Sequence, residues 1–141
     1  EGIYCGAAIE LKDGNIVTGN NSPILHAASS LILHAIKYLA EIPDKIKLLP
    51  PGITDSVKKF KTEILNAKTI SLDLEETLIA LSISATTNSA AQLAVEKIKE
   101  LKGCEVHMTH IPTPGDEAGL RRLGVNLTSD PNFSTNNLFI P

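Results

Sequence analysis

CGAAIELKDGNIVTGNNSPILHAASSLILHA, residues 5–35, is the stretch that decides the class of fold. Residues 5–11 and 16–18 are short apolar runs separated by Lys12-Asp13-Gly14-Asn15. An Asp-Gly pair supplies the positive φ that a tight hairpin turn needs, so the two runs read as a β-hairpin. After Asn20-Asn21, Ser22 reads as an N-cap with Pro23 at the first helical position. Leu25, Ala28, Leu31, Ile32, Ala35, Ile36 and Leu39 then recur at helical spacing as far as Glu41. A hairpin followed at once by a long apolar helix is the opening of an α/β domain.

The rest of the chain continues that pattern. Pro43, Pro50, Pro51 and Gly52 mark a loop, and Thr54 or Asp55 is placed to cap a second helix carrying Val57, Phe60, Ile64 and Leu65, with lysines on its outer face. Asp73 with Glu76 three residues on is a capping box and predicts a helix over 74–84, although the Ile, Leu and Thr content there also suits a buried strand. A further helix is expected over 90–102, with Leu93, Ile98 and Leu101 inward and Gly103 as its stop. Residues 104–111 alternate as a strand, Pro114-Gly115-Asp116 starts a short helix ending at Gly124, and 125–128 forms a last strand. This order predicts a three-layer α/β/α sandwich with a mixed sheet, one domain over residues 1–128 with an irregular tail at 129–141.

Composition narrows the functions. In 141 residues, 43% hydrophobic and 21% charged, the thirteen Lys and Arg are outnumbered by sixteen Asp and Glu, for a net charge of −3. The basic residues are scattered, so the footprint of a nucleic-acid backbone is missing, and five Phe and Tyr with no Trp give single-stranded bases little to stack on. No apolar run approaches the 20 or so residues that span a bilayer. Two cysteines without a CxxC spacing, and no basic leader ahead of an apolar core, suit a reducing, cytoplasmic setting. The chain begins without Met and enters its first strand almost at once, as a piece of a longer protein would.

Three chemistries can be weighed on the residues. Cys104, His107 and His110 have a spacing that suggests zinc, but along a strand Cys104, Val106, Met108 and His110 share one face while His107 points to the other, and no metal site is expected. His26 and His34 lie eight helical residues apart, a rise of about 12 Å, too far to share an ion. Ser30 follows His26 by one turn, yet a hydroxyl there bonds back to the helix, no G-x-S-x-G elbow occurs, and no carboxylate is visibly placed to orient the imidazole, so no catalytic residue is predicted. The hairpin and helix resemble the start of the cytidine deaminase fold, in which a helix bears His-Ala-Glu. Here the matching positions read His26-Ala27-Ala28, and without the Glu and a later Pro-Cys-x-x-Cys the resemblance implies a fold and not that reaction.

Binding is better represented. Three polar segments precede helices: Asn20-Asn21-Ser22, Thr87-Asn88-Ser89 and Thr113-Pro114-Gly115. Free amides at helix starts attract anions, and in an open α/β sheet such loops converge at one edge, so these residues with His110 are the candidate walls of a crevice for a small anionic ligand. Asp116 and Glu117 oppose an anion there, and Arg121, one turn on, is placed to restore it. No P-loop or GxGxxG is present, so no nucleotide or other cofactor is predicted.

Two long words, LDLEETLIALSISATTN at 72–88 and GCEVHMTHIPTPGDEAGLRRLGVN at 103–126, make the chain resemble the C-terminal part of the conserved bacterial proteins grouped as domain of unknown function 1846. The resemblance implies a full chain several times longer, with a glycine-rich, phosphate-loop-like segment upstream. It transfers no catalytic residue to any position here. The expected role is binding or assembly, with an upstream domain of the same protein or a second copy as partner. The alternative is one part of an enzyme acting on a nucleotide or phosphorylated metabolite, its site completed by that upstream domain.

Overall fold

The structure, a computed structural model, describes residues 5–133. A hairpin of β1 (Gly6–Glu10) and β2 (Ile16–Asn20) turns through Gly14, whose φ of 87° is the left-handed geometry the Asp-Gly pair predicts. Four helices follow: α1 (Ala27–Leu39), α2 (Pro51–Glu63), α3 (Leu74–Ser84) and α4 (Ser89–Glu96). The chain then returns through β3 (Glu105–Met108), α5 (Pro114–Arg122) and β4 (Asn126–Ser129). The sheet has the order β2-β1-β3-β4, with β1 antiparallel to both neighbours and β3 parallel to β4. It is a mixed sheet in an α/β domain, as the order of elements predicts.

The layering has its reason in strand alternation. Ile9, Val106 and Met108 point to one face and are buried at 1% exposure or less, whereas Glu10, Thr18, Glu105, His107 and Thr128 point to the other and are exposed. Helix α1 lies on the apolar face against β1 and β2, and its other sides meet α3, α4 and α5, so almost every residue from Ala27 to Lys37 is buried. Among the described residues no helix covers the polar face, so the helical layers stack on one side of the sheet and the expected outer layer on the other side is not among them. Strand β4 ends at Ser129, residues 130–133 form no helix or strand, and the remainder of the tail expected at 129–141 lies outside the described residues.

Several boundaries move for identifiable reasons. Helix α1 starts at Ala27, with His26 as its N-cap, four residues later than Ser22 and Pro23 suggest. Leu72 causes the delay: it forms a parallel bridge with Leu25, donates to the Ile24 carbonyl and accepts from the His26 amide, so 24–26 is held extended. The Ser22 hydroxyl closes a turn by accepting from the amides of Ile24 and Leu25 instead. Helix α2 begins at Pro51, whose ring needs no N–H partner at a first helical position, and not after Thr54. The helix expected over 90–102 divides into α4 and a 3-10 turn, Ile98–Leu101; Ala91 and Ala94 face inward in place of Leu93, which is exposed. The capping box at Asp73 and Glu76 is formed in full and settles 74–84 as helix.

Candidate functional site

Three helix starts meet beside Leu72. His26 is the N-cap of α1, Asp73 that of α3 and Thr113 that of α5. Asp116 joins them. Its amide donates to the Thr113 hydroxyl, one of its carboxylate oxygens accepts from the Leu74 amide at 2.8 Å, and the other accepts from His26 Nδ1 at 2.8 Å. The Asp116 side chain is 1% exposed, so this carboxylate is spent wholly on protein donors, while the His26 ring keeps 22% of its surface open. A cavity of about 300 Å³ lies against the group, bounded by His26, Lys61, Ser71, Asp73, Glu76 and Gly115. A β-carbon at position 115 would overlap the Asp73 carboxylate, so Asp73 would have to shift from its cap to admit one.

The electrostatics follow from that crowding. Burial pulls the His26 imidazole down, but the hydrogen bond and charge of Asp116, helped by Asp73, outweigh it and raise the pKa above the usual histidine value. Burial also pushes the Asp73 carboxyl up, aided by the charges of Glu76 and Asp116. Lys61, 7% exposed, answers part of this negative charge by donating to Glu76 Oε1 at 2.9 Å and to the Ser71 carbonyl at 2.8 Å. His110, on the buried face of the β3 segment, is held below its ordinary pKa by burial, with Asp116 opposing. Its Nδ1 has no hydrogen-bond partner among the described residues. Cys5 is buried, and both burial and the Asp116 charge push its thiol up, away from the reactive thiolate.

With Nδ1–H committed to Asp116, a neutral His26 keeps its lone pair on Nε2, the arrangement of a general base held in one tautomer by a carboxylate. Ninety residues separate the two side chains, so the partner that the imidazole lacks in the sequence is supplied by the fold.

The candidate residues separate accordingly. Thr113 and Gly115 border the cavity, and His110 lies close enough to feel the charges of Asp116 and His26. Asn88 caps α4 by accepting from the Ala91 amide and reaches the Lys47 carbonyl, so Thr87, Asn88 and Ser89 sit at a different helix start from the one at His26. Asn21 exchanges bonds with the Cys5 backbone, Asn20 ends β2, and Ser22 closes its turn, leaving His26 as the residue this segment brings to the cavity. Arg121 is exposed and pairs with Glu117 at 2.8 Å along its own helix. It is not turned to the cavity to offset Asp116. On β3, His107 is exposed opposite buried Val106 and Met108, and it bonds Thr128 and Asp130 on the polar face of the sheet. Among the described residues no three His, Cys, Asp or Glu side chains gather to hold a metal ion, and no helix is long and apolar enough to cross a membrane.

A sequence profile for "Domain of unknown function DUF1846, C-terminal" matches residues 3–139, nearly the whole chain. The chain belongs to the DUF1846 family. Its relatives carry the name UPF0371 protein: one from Clostridium botulinum (strain Alaska E43) is 46% identical over 132 residues, and one from Corynebacterium diphtheriae, UPF0371 protein DIP2346, is 47% identical over 134. A third, UPF0371 protein FN1121 from Fusobacterium nucleatum, is 44% identical over 132 residues. These matches take in 94–95% of this chain but only 26–27% of each relative, so the DUF1846 chain described here spans about a quarter of their length.

Proposed function

We propose that this DUF1846 C-terminal domain supplies the acid-base pair His26–Asp116 to a ligand site that the remainder of the longer protein completes. The supporting observation is a carboxylate, 1% exposed, that fixes one imidazole nitrogen at 2.8 Å while the ring borders an open cavity. A group so placed transfers protons in either direction near neutral pH. Asp73 and Glu76 line this cavity with Lys61 and His26, and Asp116 lies buried behind His26, a balance that disfavours an anion and suits a neutral hydroxyl-bearing or amine-bearing ligand.

A second reading adds assembly. Ile79 and Ile83, one turn apart on α3, are 62% and 49% exposed, a face suited to docking the upstream part of the chain or a second copy. Neither role needs a membrane, and the working location is the cytoplasm.

The test is a thermal-shift screen of the full-length protein against sugars, nucleosides, amines and sugar phosphates. A ligand at 100 times its Kd stabilises by about 2.7 kcal/mol. His26→Gln, whose amide still donates to Asp116, is expected to abolish that shift, and Asn88→Ala to leave it intact. Equal stabilisation of the His26→Gln protein contradicts the assignment.

A further inference from the structure

A second cavity lies elsewhere, between α1, α2 and the loop that joins them, and it has a volume of about 420 Å³, within the range of small-molecule sites. Its walls are mostly apolar, with Leu33 of α1 and Ile46, Leu48 and Leu49 of the loop. Lys37, on the last turn of α1, is set into this wall and is 8% exposed. Its ammonium donates to the carbonyls of Asp44 and Ile46, at 2.8 and 2.6 Å. An ammonium has three N–H donors, so one is left without a protein acceptor among the described residues, and no carboxylate there lies within ion-pairing distance. Burial pulls its pKa down, as expected of a cation whose nearest partners are dipoles. Lys47 and Lys58 border the same cavity, facing Asp44 and Asp55, which leaves one positive charge in excess.

A buried cation is normally paired, because isolated charge is costly to remove from water. Here the cation is buried, the Asp44 charge acts on it from beyond ion-pairing distance, and Leu33, Leu48 and Leu49 make much of the wall beside it apolar. We propose that this cavity binds a small amphipathic monocarboxylate, its head on Lys37 and its apolar body against Leu33, Leu48 and Leu49. The site is separate from the one at His26, and its standing does not depend on that reading.

Calorimetry with octanoate, octanol and inorganic phosphate on the full-length protein tests this, alongside Lys37→Met, which keeps the stem and removes the charge. Octanoate is expected to bind one to one, and Lys37→Met to weaken it by about tenfold or more. Octanol is expected to bind the unaltered protein no better than octanoate binds the variant. Should Lys37→Met fail to fold, Lys58→Met on the exposed side of the cavity is expected to weaken octanoate several-fold. Absence of octanoate binding at millimolar concentration, binding of phosphate in preference to octanoate, or equal binding of octanoate and octanol overturns the proposal.

Discussion

Asp116→Ala is expected to cost about 3–5 kcal/mol of folding stability, the range for breaking a buried pair by removing one partner. Two losses combine. The Leu74 amide, buried at the first turn of α3, is left without its acceptor, and the His26 ring loses the group that fixes it to α5. Asp116→Asn keeps the volume and, through its amide oxygen, the bond from Leu74. Its NH₂ then donates to His26 Nδ1 and moves the ring proton to Nε2, so this variant is expected to fold while losing the base. Urea unfolding compares the three proteins, and a cost below about 1 kcal/mol for Asp116→Ala is incompatible with the joining role.

The pH dependence has a definite sign. His26 is raised in the folded state, so the stability it draws from Asp116 is fully present below the unfolded value of about 6.5 and is lost as pH rises through the folded value. The gap between the unaltered protein and Asp116→Asn therefore narrows on going from mildly acidic to alkaline buffer.

Gly19→Ala is expected to damage the fold on a similar scale. A β-carbon on Gly19 would overlap the Leu31 backbone of α1, so the seat of the central helix on β2 depends on a hydrogen at this position. Backbone cannot step aside as a side chain can, and the cost is expected at about 3 kcal/mol, the upper part of the range for overpacking. Gly52→Ala in α2 is the matched control. Nothing lies within 4 Å of its added carbon, and it is expected to be neutral or to stabilise by up to about 1 kcal/mol. A melting temperature for Gly19→Ala close to that of Gly52→Ala refutes this account of the α1–β2 contact.

Local chemistry made much of this fold readable. The Asp13-Gly14 turn, the Asp73–Glu76 capping box, the Thr113 cap and the alternation that buries Cys104, Val106, Met108 and His110 each act within a few residues, and each is formed. Errors arose where a distant partner intervened. Nothing near Ser22 announces that Leu72 pairs with Leu25 and postpones α1, and nothing near Leu93 shows that alanines are the residues α4 turns inward. The candidate site was half legible for the same reason. Position in the sequence marks Thr113, Gly115 and His110, whereas Asp116 reads locally as a first-turn acid opposing an anion. Its role as the partner of His26 is a tertiary contact across 90 residues of sequence. One signal was available: an Asp at the third position of a helix already capped by Thr113 is free to serve another element.

The central claim, that Asp116 makes His26 an acid-base group, is tested most directly by following the His26 ring through a pH titration by NMR in the unaltered protein and in Asp116→Asn. The His26 pKa is expected above the ordinary 6.5 with the proton on Nδ1 in the neutral ring, falling once the Asp116 charge is removed and burial dominates. A His26 that titrates at or below 6.5, and does so equally in both proteins, contradicts it.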